Sequence, residues 1–144
     1  MIVIDASVLA PDLADDGADG QTARTRLAGE TLCAPCLIDL EVTSVWRSQA
    51  AAGNLDGCRA ASALADLVEM PLQRVDHRSL LSRCWELRHN LPGYDAAYVA
   101  LAEALDVDLV TGDARLARAP GIECRGSSAG SKCCADTSMV CSGR

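Results

Sequence analysis

Four acidic residues, Asp5, Glu41, Asp95 and Asp113, lie far apart along the chain but in settings unlike those of ordinary surface carboxylates. Asp5 ends the apolar run Ile2-Val3-Ile4, and Asp113 follows Leu109-Val110 after a Thr111-Gly112 turn. In open α/β sheets, ligands bind beyond the carboxyl ends of the strands, where both of these acids are expected. Asp95 opens an apolar stretch, Tyr94 to Leu105, and helical spacing sets it on the face of Tyr98, Val99 and Ala102. Glu41 shares a helical face with Leu37, Ser44 and Val45. A carboxylate among such neighbours loses solvation unless a cation or a basic group pairs with it. Taken singly, each acid has a plainer reading: a helix cap for Asp95 and Asp113, a turn for Asp5, an arginine pair for Glu41. Taken together they would repel one another, and Mg²⁺ or Mn²⁺ removes that penalty by accepting carboxylate oxygens. The chemistry such a cluster suits is phosphodiester hydrolysis, with one ion activating water and a second stabilising the leaving oxygen.

The elements that must position these acids follow from the pattern of apolar residues. Continuous short runs read as strands buried on both faces: Ile2 to Ile4, Thr31 to Ala34, Leu72 to Val75, Leu109-Val110 and Ile122 to Cys124. Between them the periodicity predicts helices over Thr22 to Leu27, Pro35 to about Ala52, Asp56 to Met70, Ser79 to about Asn90, Tyr94 to Leu105 and Ala114 to Arg118. Asp56 is placed to cap one of them and Pro71 to stop it. Strands alternating with helices imply a parallel sheet covered on both faces. A chain of 144 residues supports one such domain, expected over 1–125. From Gly126 to Arg144 the composition turns to Gly, Ser, Cys and Thr, which predicts a disordered tail.

Composition narrows the alternatives. A net charge of −7 argues against an extended basic surface for long nucleic acid. Every basic residue except Lys132 is arginine, so phosphate contacts would be guanidinium forks, with Arg115 and Arg88 as candidates. His77 and His89 stand in polar surroundings and are read as surface residues. No stretch is apolar enough to span a bilayer, and Met1 leads directly into Ile2 without a basic segment, so the cytoplasm is expected. Of the 8 cysteines, Cys33, Cys36, Cys58 and Cys84 lie in core-like segments, and Cys124, Cys133, Cys134 and Cys141 crowd the end. Cys33-Ala34-Pro35-Cys36 allows a thiol-disulfide oxidoreductase as the rival enzyme, or a zinc site completed by tail cysteines. Phosphotransfer folds with an acid after the first strand need a lysine, and the sole lysine is in the tail.

Four segments then resemble the PIN-domain ribonucleases, and within them the VapC toxins of bacterial toxin–antitoxin pairs. They are V-I-D-A-S-V-L around Asp5, with Ser7 as the D-x-S hydroxyl; L-I-D-L-E-V-T-S-V-W around Glu41; Y-D-A-A-Y-V-A-L-A around Asp95; and V-T-G-D-A-R-L around Asp113, with Thr111 and Arg115 beside it. The resemblance runs from residue 1 to about 124. It implies a three-layer α/β/α sandwich with a central parallel sheet, usually a homodimer. It also implies cleavage of structured RNA of the transfer or ribosomal type with Mg²⁺ or Mn²⁺ held by the four acids. A cognate VapB-type antitoxin would wrap the toxin with an amphipathic segment and bring a basic side chain to the carboxylates. A binding module of the same fold without catalysis is the alternative, and the complete acid set argues against it.

Overall fold

The computed structural model of the chain describes residues 1–121 and 126–128. Five parallel strands form one sheet: β1 (Ile2–Ile4), β2 (Leu32–Pro35), β3 (Leu72–Val75), β4 (Leu109–Thr111) and β5 (Gly126–Ser128). Their order is β3-β2-β1-β4-β5, so the chain winds outward from β1 in one direction and then returns to add β4 on its other side. This reversal places a switch point between β1 and β4, the crevice where ligands bind in doubly wound sheets. Val3 pairs with Leu109 and Ile4 with Val110, which brings Asp5 and Thr111 level with each other just past the strands.

Among the described residues six α-helices flank the sheet: α1 (Ala6–Ala14), α2 (Ala18–Leu27), α3 (Ile38–Ala51), α4 (Gly57–Glu69), α5 (Leu81–Glu86) and α6 (Gly93–Leu105). Parallel strands joined by right-handed crossovers put α1 to α4 on one face and α5 with α6 on the other, giving the expected α/β/α layers. Helix α6 packs on β1, β2 and β4, and its residues Ala96 to Ala102 are all buried. Its small side chains let it approach the sheet closely. In the opposite layer α1 packs against α2, α3 and α4. Trp46 fixes the α1–α3 contact, its indole N–H donating to the Ala10 carbonyl at 3.1 Å.

Several boundaries differ from the sequence reading. The sequence reading assigns no helix before Thr22, yet the stretch after Asp5 forms α1, because the Asp5 carboxylate caps it and Val8, Leu9 and Ala10 fill the core. Pro11 inside this helix hides it from a pattern reading, since proline forfeits an N–H and crowds the preceding turn. Pro35 belongs to β2 instead of opening α3, which begins at Ile38. The helix expected over Ser79 to Asn90 is divided into a 3-10 turn at His77–Leu80, the short α5, and a second 3-10 turn at Leu87–His89. Between Ala114 and Arg118, only Leu116–Arg118 is helical, as a 3-10 turn. Asp56 does cap α4, accepting from the Cys58 and Arg59 backbone N–H groups, and Met70 ends it before Pro71. The last strand, expected at Ile122 to Cys124, falls outside the described residues. Strand β5 lies at Gly126–Ser128, inside the segment read as tail, and pairs with all of β4.

Candidate active site

Asp5 is only 6% exposed, at the carboxyl end of β1 and the N-terminus of α1. Its Oδ1 accepts from the Ser7 backbone N–H at 3.0 Å, the Ser7 hydroxyl at 2.5 Å and the Val8 N–H at 3.3 Å. The other oxygen, Oδ2, accepts from the hydroxyl of fully buried Thr111 at 2.5 Å. Thr111 Oγ1 in turn accepts from the Asp113 N–H at 2.9 Å, and the Ser7 hydroxyl from the Gly112 N–H at 2.8 Å. The Asp5 carboxylate is therefore the knot that ties β1, α1 and the turn after β4. A Cβ on Gly112 would stand 3.0 Å from Ser7 Oγ, so a side chain there would press on the hydroxyl that holds Asp5.

Glu41 and Asp95 come to the same edge from two helix starts. Because α3 begins at Ile38, Glu41 lies in its first turn, not mid-helix as the sequence suggested. Asp95 lies in the first turn of α6. Helix N-termini carry partial positive charge and favour carboxylates. Both acids are half-buried. Glu41 Oε2 accepts a short hydrogen bond from the hydroxyl of Tyr98, a fully buried residue one turn beyond Asp95.

The electrostatics show that the acids share one space. Burial pushes the Asp5 carboxyl above its usual range, against the hydrogen bonds from Ser7, Thr111 and Val8 that pull it down. Burial likewise raises Glu41; the Tyr98 hydroxyl lowers it, and the charges of Asp95 and Asp5 raise it again. Asp95 is raised by burial and then by the charges of Asp113 and Asp5, with Arg115 in partial opposition. Tyr98 feels all three acids, and burial together with Glu41 holds its proton firmly in place. Among the described residues, no arginine or lysine forms an ion pair with Asp5, Glu41 or Asp95.

Asp113 differs. Its carboxylate accepts from Arg115 through the backbone N–H at 2.8 Å and the guanidinium Nη2 at 2.9 Å, which holds it below the usual range. Arg115 itself is 91% exposed, so one end of its side chain steadies Asp113 while the rest faces solvent. Arg88 does not approach the acids: its guanidinium lies 4.7 Å from the Trp85 ring centroid and donates to the Trp85 carbonyl. His89 is exposed as expected, whereas His77 is half-buried with an unpaired Nδ1.

The donor set is all oxygen and suits a hard divalent ion. Carboxylates kept protonation-prone by burial and mutual repulsion are the groups such a charge would relieve. Among the described residues, no three acidic, His or Cys side chains already stand as a closed chelating group. Glu41 is drawn to Tyr98 and Asp113 to Arg115, so side-chain rotations must complete an ion's coordination. Glu41 and Asp95 each feel the charge of Asp5, but among the described residues no closed cage is formed.

Sequence reasoning missed Tyr98 as a partner of Glu41. The available signal was its type: in a chain with 2 Tyr and no Phe, a tyrosine three residues after a candidate acid is unusual. The Cys33/Cys36 redox reading loses its footing. Cys33 is buried inside β2, where burial raises its thiol pKa, and Cys36 precedes the helix start by two residues. Cys124, Cys133, Cys134 and Cys141, and with them the zinc reading, lie outside the described residues.

Comparison with known proteins agrees with this geometry. The PIN domain family profile matches residues 2–122. The chain is 42% identical over 123 residues to Ribonuclease VapC1 of Mycobacterium tuberculosis, covering 85% of this chain and 92% of that protein. It is 40% identical over 124 residues to Ribonuclease VapC9 of the same organism, covering 86% and 94%. Among solved structures, M. tuberculosis VapC20, a Sarcin-Ricin loop cleaving toxin, superposes with a TM-score of 0.64 at 17% identity, over 81% of this chain and 93% of that one. VapBC2 from Rickettsia felis, bound to a DNA fragment from its promoter, gives a TM-score of 0.63 at 13% identity, over 89% and 98%. A buried, hydroxyl-bound Asp5 with helix-borne Glu41 and Asp95 at a sheet switch point, a profile spanning nearly the whole described chain, and relatives of 42% and 40% identity lead to one conclusion: the chain belongs to the PIN-domain family, among the VapC toxin ribonucleases.

Proposed function

We propose that this chain hydrolyses phosphodiesters of structured RNA, of the transfer or ribosomal type, at a site formed by Asp5, Glu41, Asp95 and Asp113 with Mg²⁺ or Mn²⁺. One observation carries the reading. Burial raises the pKa of three carboxylates, Asp5, Glu41 and Asp95, and neighbouring acids raise Glu41 and Asp95 further, yet among the described residues none has a basic ion-pair partner. A fold does not hold such a group together at neutral pH without some compensating charge.

Lewis acidity is what a divalent ion supplies there when bound, favouring attack by water and offsetting charge on the phosphoryl group. The side chains do the rest. Ser7 and Thr111 fix both oxygens of Asp5, so its carboxylate cannot rotate away. Tyr98 holds Glu41 by Oε2, which leaves Oε1 as the oxygen that could serve as ligand or accept a proton from water. Arg115 tethers Asp113 and offers its exposed guanidinium to a phosphate.

The cytoplasm is the compartment this activity requires, and among the described residues no helix is long and apolar enough to cross a membrane. Neutralisation by a cognate VapB-type antitoxin follows from the family. A hollow of about 240 Å³ between α3 and α4, lined by Trp46, Ala60, Ala61 and Leu64, suits an amphipathic segment of it. A homodimer is the expected assembly, which sedimentation would read. The activity itself is tested by incubating purified protein with total RNA and Mn²⁺ and sequencing the new ends, with Asp5→Asn as control. Ends that appear equally with Asp95→Ala would overturn the reading.

A further inference from the structure

Beside the acids a cleft of about 310 Å³ opens between α1, α2 and α3, at the lower limit of small-molecule sites, roughly 300 Å³. At the end nearest the acids it is lined by Ser7 and Gly112, the pair whose hydrogen bond leads directly to Asp5. Away from them it passes Pro11 into a second hollow of about 160 Å³ that reaches Asn54. The two hollows share Asp19 and Gln49. None of the mechanism above uses this space.

The lining limits what can enter. Among the described residues it has no arginine or lysine, and its one charged residue is the carboxylate Asp19, so a phosphate would be repelled. The walls are small and aliphatic, with Pro11, Ala23 and Val45 offering flat apolar surface. Asp19 and Gln49 are exposed, and among the described residues neither commits its side chain to a hydrogen bond. An occupant that is planar, uncharged and edged with hydrogen-bonding groups satisfies all of this. RNA is read mainly through unpaired bases splayed from loops, held by apolar contacts on their faces and hydrogen bonds on their edges.

We infer that this cleft is a nucleobase subsite, which takes the unpaired base next to the scissile phosphate and reads its edge through Asp19 and Gln49. The inference rests on the acid cluster being the RNA-cleaving site. An ionised carboxylate only accepts hydrogen bonds, so Asp19 favours bases that present an exocyclic amino group over uracil, whose single edge donor, N3–H, lies between two carbonyls that repel a carboxylate. Gln49 both donates and accepts, and can pair with the remaining edge. The cleft lies on one side of the acids, so the preference concerns one of the two nucleotides flanking the cut.

The test is to digest RNA hairpins carrying a randomised loop with the full chain and Mn²⁺, and to sequence the ends. The readout is the ratio of cleavage at amino-bearing bases to cleavage at uracil, at each flanking position. The parent should favour amino-bearing bases about ten-fold at one position, as a single good base contact allows. Asp19→Asn, nearly isosteric and exposed, and Gln49→Ala should each flatten that ratio. A ratio near one in the parent, or one unchanged in both variants, overturns the subsite while leaving the ribonuclease reading intact. If the variants keep the parental ratio but escape neutralisation by the antitoxin, the cleft holds peptide and the base assignment fails. Absence of cleavage by the parent under conditions where it is folded overturns the ribonuclease reading, and the subsite with it.

Discussion

At the scale of single residues, the site is a compromise between folding and chemistry. Asp5, Glu41 and Asp95 all have folded pKa values above those of the unfolded chain. For a raised group, the stability it contributes is present below the unfolded pKa, about 4 for carboxylates, and is lost as pH rises through the folded value. The metal-free protein should therefore melt higher as pH falls from 7 towards about 5, and Glu41→Gln should weaken that trend. Mn²⁺ should raise the melting temperature at pH 7 and do so less at pH 5, because protons compete for the same oxygens. Activity should run the opposite way, declining on acidification before ordinary carboxylates titrate. Calorimetry and a pH–rate profile would check both signs. Thr111→Val keeps shape but leaves a buried Asp5 oxygen and the Asp113 N–H without partners, so a loss of about 1–3 kcal/mol in denaturant unfolding is expected. Asp95→Ala should stay folded yet lose about 100-fold or more in cleavage rate, as removal of a positioned ionisable group commonly does.

At the scale of elements, short contacts set the geometry that the acids inherit. Helix α1 starts on Asp5, and at its other end Gly20, in the first turn of α2, packs so closely that an added Cβ would fall 1.8 Å from the Asp15 carbonyl. Gly20→Ala should destabilise by about 1–3 kcal/mol or more, the usual cost of overpacking against rigid backbone, and thermal melts would show it. On the other face, Arg83 of α5 bonds Glu103 of α6 at 2.8 Å and the Gly121 carbonyl at 3.0 Å. Through these it clamps the helix that bears Asp95 to the chain beyond β4. Arg83→Met should cost about 1.5–3 kcal/mol, the range for hydrogen bonds to charged groups, with cleavage falling only as the folded fraction falls. A cleavage defect in fully folded Arg83→Met would show that the clamp positions Asp95.

At the scale of the whole molecule, the charge of −7 decides how RNA is held. Without a basic surface, affinity cannot rest on many phosphate contacts. If two or three are made, binding to the Asp95→Ala protein should weaken only about 10- to 50-fold between 50 and 200 mM salt, far less than for proteins with many contacts. A filter-binding series that gave a steep slope would point to a basic surface contributed by another chain. The acidic balance equally favours a basic partner, since opposite charge accelerates encounter and excludes wrong partners.

Some of this design is written directly in the residue order. The strand positions of Ile2–Ile4, Leu72–Val75 and Leu109–Val110, the buried Tyr94 to Leu105 helix, the Asp56 cap and the four acids with their flanking motifs are local features, because burial on both faces and capping depend on neighbours a few residues away. What the pattern could not supply was set by distant contacts. Pro11 concealed α1, whose stability comes from packing against α2, α3 and α4 and from its Asp5 cap. The edge strand Gly126–Ser128 has no apolar pattern, and it exists only because β4 offers an unpaired edge. The Asp5–Thr111 bond, 106 positions apart, arises from the strand order that places β4 beside β1, and the bond from Tyr98 to Glu41, 57 apart, joins α6 to α3. Residue types thus named the chemistry in advance; tertiary packing alone decided which hydroxyl holds which carboxylate, because hydrogen bonds are made between atoms brought together by topology and carry no trace in local spacing.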